Sequence, residues 1–290
     1  NRMTMKKVLF SIIILISFQV LWMGCSENAK FDDTIYDIKD PVWNEVDTWI
    51  FENYVKPHNI EVLYRWKDIE TETNKNLIPA QIDTIVPFLR MVKHGWIDTY
   101  LELCGMDVMN PVFPKQILLL GSAGWNEDGT KTQGTAEGGK KVVLYELEEY
   151  DPKNWDNVMH YIRVLHHEFT HILNQKKEYN LAFKQITPDT YSATWTGNSV
   201  EQARSLGFVT PYAMAEPGED FAEVVAEYVT NTAESWEALL GKISNETGKS
   251  NILKKLDMVR TYLDESWGID IDRLRELVNT AIDDVVQGNY

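Results

Sequence analysis

Cysteine, basic charge, long apolar runs and histidine are all scarce in this chain. Two cysteines occur in 290 residues, Cys25 and Cys104, too few for a disulfide framework, so stability has to come from an apolar core. Cys104 reads as a small buried residue rather than a nucleophile. Lys and Arg total 28 against 44 Asp and Glu, a net charge of −16. Such an acidic surface argues against nucleic acid and anionic lipid headgroups as partners. The one long apolar run, residues 8–23, is short for a membrane span. Histidine occurs six times and never after His171, which excludes any motif that needs a histidine further downstream.

What is present is a globular composition, 44% hydrophobic and 11% aromatic, on a chain long enough for one generous domain. Lys6-Lys7 followed by the apolar run has the charged and hydrophobic regions of a secretory signal. That run ends at Gly24-Cys25, which resembles the end of a bacterial lipobox and makes Cys25 the expected lipidation site; an uncleaved N-terminal anchor is the rival reading. Residues 1–24 are therefore expected to be a lipoprotein signal peptide, residues 25–40 an acidic tether, and residues 41–290 the domain. Within the domain, periodicity predicts a strand over 60–66, a helix over 81–100, and strands over 116–120 and 142–147. The glycine-rich stretch 121–139 reads as a flap or hairpin. Thr130 stands where a phosphate loop needs lysine, and Gly124 where a calcium loop needs its first acid, so neither ligand is expected there.

The chemistry concentrates at His166-His167-Glu168-Phe169-Thr170-His171. His167 and His171 share one face of a helix about one turn apart, the spacing that lets two imidazoles hold one zinc ion. Glu168 is then placed as general base toward a zinc-bound water. At helical periodicity Val158, Tyr161, Ile162, Leu165, Phe169 and Ile172 fall on one stripe, with His160, His167, His171 and Asn174 opposite. Such a helix turns its histidines into a cleft. His166 lies off the metal face, and His160 shares it at about 10 Å along the axis, where it could line the cleft.

Two histidines leave a catalytic zinc one protein ligand short, and a carboxylate must supply it. In Glu216-Pro217-Gly218-Glu219-Asp220-Phe221-Ala222-Glu223, a helix entered at Pro217 would bury Phe221, Val224, Val225 and Tyr228 and turn Glu219 and Glu223 the other way. Packing both helices on one core brings His167, His171 and Glu219 together. Glu223, one turn on, is placed to accept the other ring N–H of a ligand histidine. Strand 142–147 precedes the histidine helix closely enough to be an edge strand that pairs with an extended substrate, or else an ordinary internal strand.

Glu219-Asp220-Phe221-Ala222-Glu223 resembles the Glu-x-Phe-Ala-Glu helix of lethal-factor-type gluzincin peptidases. That resemblance implies Glu219 as third zinc ligand and Tyr212, seven residues earlier, as the group that stabilises the oxyanion or protonates the leaving amine. More broadly, Trp49 to Tyr54, Asn59-Ile60-Glu61-Val62, Pro114-Lys115, Gly134-Thr135-Ala136-Glu137-Gly138-Gly139, His166 to Gln175 and Gly207 to Glu223 look like the substrate import-associated zinc metallohydrolase lipoproteins. The resemblance implies an α+β, zincin-like metallopeptidase fold with a mixed sheet, an active-site helix and a helical C-terminal part. The domain would comprise an N-terminal α/β part (41–150), zinc-site helices (151–232) and C-terminal helices (233–290). It further implies zinc as cofactor, a peptide or protein substrate, an outer-membrane lipoprotein at the cell surface or periplasmic face, and a TonB-dependent transporter as partner. The competing reading is a ligand-capturing accessory lipoprotein without catalysis.

Overall fold

Short polar side chains fix where the helices begin. Asn44 and Ser199 each close a capping box, and Asn154, Thr232, Asn245 and Asp270 accept from backbone amides of the first turn, satisfying donors that a helix start leaves unpaired. The computed structural model describes residues 42–67, 70, 75–127 and 129–290; the signal segment, Cys25 and the tether lie outside the described residues. Among the described residues no helix is long and apolar enough to cross a membrane.

The architecture is α+β and mainly helical, with a small mixed sheet. Helix α1 (Glu45–Ile50) runs through a π-helical stretch into β1 (Glu61–Leu63). Helix α2 (Ile82–Val92) continues through π-helical Lys93–Ile97 into α3 (Asp98–Cys104). Strands β2 (Gln116–Leu119), β3 (Gly124–Trp125), β4 (Lys131–Thr132), β5 (Gly134–Glu137) and β6 (Lys141–Leu144) follow. Then come α4 (Trp155–Lys176), α5 (Val200–Leu206), α6 (Pro217–Thr230), α7 (Ala233–Gly241), α8 (Glu246–Trp267) and α9 (Ile271–Gln287).

The main sheet has the order β1-β2-β6-β5, and β3 pairs separately with β4. β1, β2 and β6 are parallel, in the register Glu61↔Gln116↔Lys141, whereas β5 is antiparallel to β6 with Gly134 opposite Leu144. This decides between the edge and the internal reading of strand 142–147 in favour of the internal one. β6 is internal, because the glycine-rich stretch supplies both the β3–β4 hairpin and β5, and β5 covers the side of β6 that would otherwise be open. The edge beside the histidine helix is therefore β5.

Helix α4 runs through the middle of the core. Val158, Tyr161, Ile162, Leu165, Phe169 and Ile172 are all buried, and Phe169 packs among Trp96, Tyr100 and Phe113 at ring separations of 5.4, 4.7 and 5.3 Å. Gly95 in the π-helical stretch lets the chain meet α4 closely: a Cβ there would stand 2.5 Å from Ile162. On α6, Phe221, Val224, Val225 and Tyr228 are buried, and so are the stripes Ile252, Leu256, Val259, Leu263 on α8 and Ile271, Leu274, Val278, Ala281, Val285 on α9.

One charged pair lies inside this apolar frame. Lys255 of α8 reaches Asp220 of α6 at 2.6 Å with both side chains fully buried. Lys255 also donates to the Gly207 carbonyl at 2.8 Å and sits 3.7 Å from the Phe208 ring centroid, while Tyr191 donates to Asp220 at 2.8 Å. Burial raises Asp220 to about 6 against the pull of Lys255, and it lowers Lys255. Breaking such a pair strands a buried charge. Lys255→Ala should thus cost about 3–5 kcal/mol, read as a lower urea midpoint, and Lys255→Met combined with Asp220→Leu should recover most of it. An unchanged midpoint for Lys255→Ala would show that no desolvated charge is held there.

Candidate metal centre

Three helical residues converge where α4 crosses α6. The Nε2 atoms of His167 and His171 are 3.1 Å apart, and Glu219 Oε2 lies 2.9 Å from the first and 3.3 Å from the second. Two ligands at about 2.0–2.1 Å from one tetrahedral ion stand about 3.3 Å apart, so the three separations are at or just inside zinc-ligand spacing. Two imidazole nitrogens and a carboxylate oxygen are also a donor set that catalytic zinc takes, leaving a fourth position open. Among the described residues this trio is the group suited to hold a metal ion.

The neighbouring charges favour a cation at this point. Burial alone would lower the pKa of His167, but Glu219 and Glu223 outweigh it and raise the pKa to about 10. Glu219 is held well below the usual carboxylate range: burial opposes ionisation, and the two histidines overcome it. His167 Nδ1 donates to Glu223 Oε1 at 2.8 Å, which leaves the Nε2 lone pair free to face the metal position.

Glu223 is itself held tightly. Arg163 Nη2 and Thr210 Oγ1 both donate to its Oε2 at 2.5 Å, and Arg163 Nε lies 2.7 Å from Glu227 Oε1. Burial pushes Glu223 up, but Arg163 and His167 bring it down to about 2. A fixed anion behind a ligand histidine sets both its tautomer and its ring orientation.

Glu168 is buried beside the trio and lines a cleft of about 650 Å³. Burial raises its pKa, with Glu219 and Glu223 adding to the effect and His167 and His171 opposing it, the direction useful in a general base. β5 can approach it because residue 134 is glycine: a Cβ there would stand 2.6 Å from Val164 and 3.3 Å from Glu168 Cγ. Tyr212 opens a 3-10 turn, Tyr212–Met214, with its ring 5.8 Å from that of His167 and 5.0 Å from that of Trp195. Burial and then Glu219 raise its pKa, so the phenol stays protonated.

The other histidines of α4 stand apart from the trio. His166 is fully buried, bonded to the Tyr100 hydroxyl at 3.1 Å and the Gly95 carbonyl at 3.2 Å, and burial lowers its pKa to about 4 despite that carbonyl. His160 packs on Tyr161 and is not among the cleft-lining residues, so the expectation that it lines the cleft is corrected; Arg163 occupies that wall instead. Cys104 is half-buried and burial raises its thiol pKa, which disfavours a thiolate nucleophile.

Sequence reasoning missed Arg163, Thr210, Glu227, Trp195 and Gly134. A signal existed for two of them: Arg163 lies one turn before His167, and Glu227 one turn after Glu223, on the faces already marked. Trp195 arrives from an irregular segment whose placement no local pattern encodes.

An α+β frame that crosses a histidine helix with a glutamate helix, beside a buried glutamate, defines a zinc metallohydrolase. The comparisons with known proteins give the family. Residues 39–272 match the family described as "Putative zinc-binding metallo-peptidase", and the chain belongs to it. A crystal structure of a protein of the same description, from Bacteroides caccae ATCC 43185, is 40% identical, with a TM-score of 0.73 over 88% of this chain and 97% of that one. No curated protein matches. Replacing Glu223 by Gln should weaken zinc binding about 10–100-fold, measured by chelator competition. Unchanged affinity would mean that Glu223 does not orient His167.

Proposed function

We propose that this chain is a zinc-dependent peptidase in which His167, His171 and Glu219 hold the metal and Glu168 is the general base. The observation that carries the reading is Glu168 itself: a buried carboxylate of raised pKa, next in sequence to one metal-binding histidine and facing the cleft. A metal centre with a purely structural role has no use for such a group. Zinc bound at this site supplies a Lewis acid and lowers the pKa of a coordinated water to about 7.

The protein's own residues divide the remaining work. Glu168 accepts the proton of the attacking water on a carboxylate oxygen and returns it to the departing amine nitrogen. Tyr212, kept protonated, donates its hydroxyl hydrogen to the substrate carbonyl oxygen as negative charge develops there. Glu223, anchored by Arg163 and Thr210, keeps His167 in one tautomer throughout. β5, at the end of the sheet order and packed against Val164 and Glu168, offers backbone groups with which an extended peptide could pair.

The cellular setting belongs to the same proposal. Gly24-Cys25 after a signal-like segment, with the resemblance to import-associated lipoproteins, supports an outer-membrane lipoprotein that works beside a TonB-dependent nutrient transporter. Radiolabelled palmitate incorporation that is lost in Cys25→Ala would support the anchor, and incorporation that persists in that variant would rule Cys25 out.

Glu168→Gln should keep zinc at the wild-type ratio by elemental analysis while kcat on a cleaved peptide falls about 10²–10⁴-fold. Full turnover in that variant would sink the mechanism. Tyr212→Phe should lower kcat about 10²-fold with KM little changed; a rise in KM alone would instead make Tyr212 a substrate-binding group.

A further inference from the structure

The wall of the cleft one turn before His167 is built from hydrogen-bonding ends rather than apolar ones. Asn126, Lys131 and Thr132 come from the β3–β4 hairpin, Arg163 and Glu227 from α4 and α6, and Thr210 from the loop before Tyr212. Val164 is the only aliphatic side chain of α4 among the lining residues. Lys131 is already engaged by Glu146 at 2.5 Å, which leaves Arg163 and Glu227 as the charged pair that meets a ligand.

Their partners are incompletely used. Arginine carries five N–H donors; Arg163 gives one Nη2 hydrogen to Glu223, and its Nε stands 2.7 Å from Glu227 as an ion pair without hydrogen-bond geometry, while Nη1 has no acceptor among the described residues. Glu227 gives one oxygen to Arg163 and leaves the other with a single 3.5 Å contact to Asn231. Donor and acceptor thus stand side by side in the cleft, held in place by the ion pairs behind them. Arg163 lies about 6 Å along the helix axis from His167, within reach of a side chain next to a bond positioned at the metal.

We propose that this wall is a subsite for a neutral polar side chain, carboxamide or hydroxyl, flanking the scissile bond of a peptide, with Arg163 Nη1 as donor and Glu227 as acceptor. The proposal rests on the peptidase reading above. A carboxamide satisfies both partners at once. An aliphatic or phenyl group would strip water from Arg163 and Glu227 and return no hydrogen bond, the situation in which polar sites reject apolar substrates most strongly. A carboxylate fares worse than a carboxamide because Arg163 already faces two carboxylates, Glu223 and Glu227, so the local balance is negative.

The test compares peptides that differ only at the residues flanking the cleaved bond, using zinc-loaded wild type, Glu227→Gln and Glu227→Leu, with zinc content measured for each. The expected result is a wild-type kcat/KM at least about tenfold higher for Gln or Asn than for Leu or Phe at one flanking position. Glu227→Leu should shift that preference toward Leu, and Glu227→Gln should raise tolerance for Glu there. A wild-type preference for Leu or Phe, or profiles that neither variant changes, would overturn the subsite. Calorimetric binding of the same peptides to zinc-loaded Glu168→Gln separates this from the peptidase reading. If no peptide is cleaved the catalytic reading falls, while tighter binding of the Gln peptide than of the Leu peptide still supports the subsite. Equal, reversed or undetectable binding overturns it.

Discussion

The site depends on one ionic chain, His167–Glu223–Arg163–Glu227, buried at its His167–Glu223 end and partly buried at the other, which alternates between α4 and α6. Each link joins the two helices that carry the metal-binding side chains, so the position of Glu219 relative to His167 and His171 is set by charges one and two turns away. Buried ions are costly unless they are paired and hydrogen-bonded. Here Glu223 receives three donors, from His167, Arg163 and Thr210. A slip of either helix by one turn would leave several of these charges without partners. Apolar packing alone tolerates small shifts; this chain of charges does not.

The opposite face of α4 is anchored differently. Phe169 sits within an aromatic cluster and His166 bonds to Tyr100 and to the Gly95 carbonyl in the π-helical stretch. The two adjacent histidines therefore have opposite roles. His166, neutral and fully enclosed, fixes the helix to the core, and His167 looks into the cleft between carboxylates. Lys255 and Asp220 repeat the pattern on α6: Asp220 ties the helix to α8, and the residue before it, Glu219, faces the metal position.

Close approach supplies the remaining constraint. Gly134 allows β5 to lie against Val164 and Glu168, and Gly95 allows the π-helical stretch to lie against Ile162. The sheet edge, Glu168 and the trio His167, His171 and Glu219 are consequently assembled from segments far apart in the chain. Trp195 and Tyr212 close the far side as an edge-to-face pair, giving the cleft one aromatic wall and one hydrogen-bonding wall.

Much of this was legible from local pattern. The four-residue spacing of His167 and His171, the adjacent Glu168, the periodic burial of α4, α6, α8 and α9, and the placing of Glu219 and Glu223 opposite the apolar stripe of α6 all follow from helical geometry, which depends on neighbours in sequence. The edge of the sheet did not follow. A strand of four residues carries the same alternation whether or not another strand covers it, and only the long-range pairing of β5 with β6 made strand 142–147 internal. Arg163, Thr210, Glu227 and Trp195 belong to the same class. Their roles come from side chains meeting across separate elements, and a contact between α4 and α6 is a property of packing, not of either helix. The sequence by itself determined which residues are suited to hold a metal and which helix faces bear them. Only the tertiary structure decided what stands around them, because burial, pairing and close approach exist only once distant segments share one core.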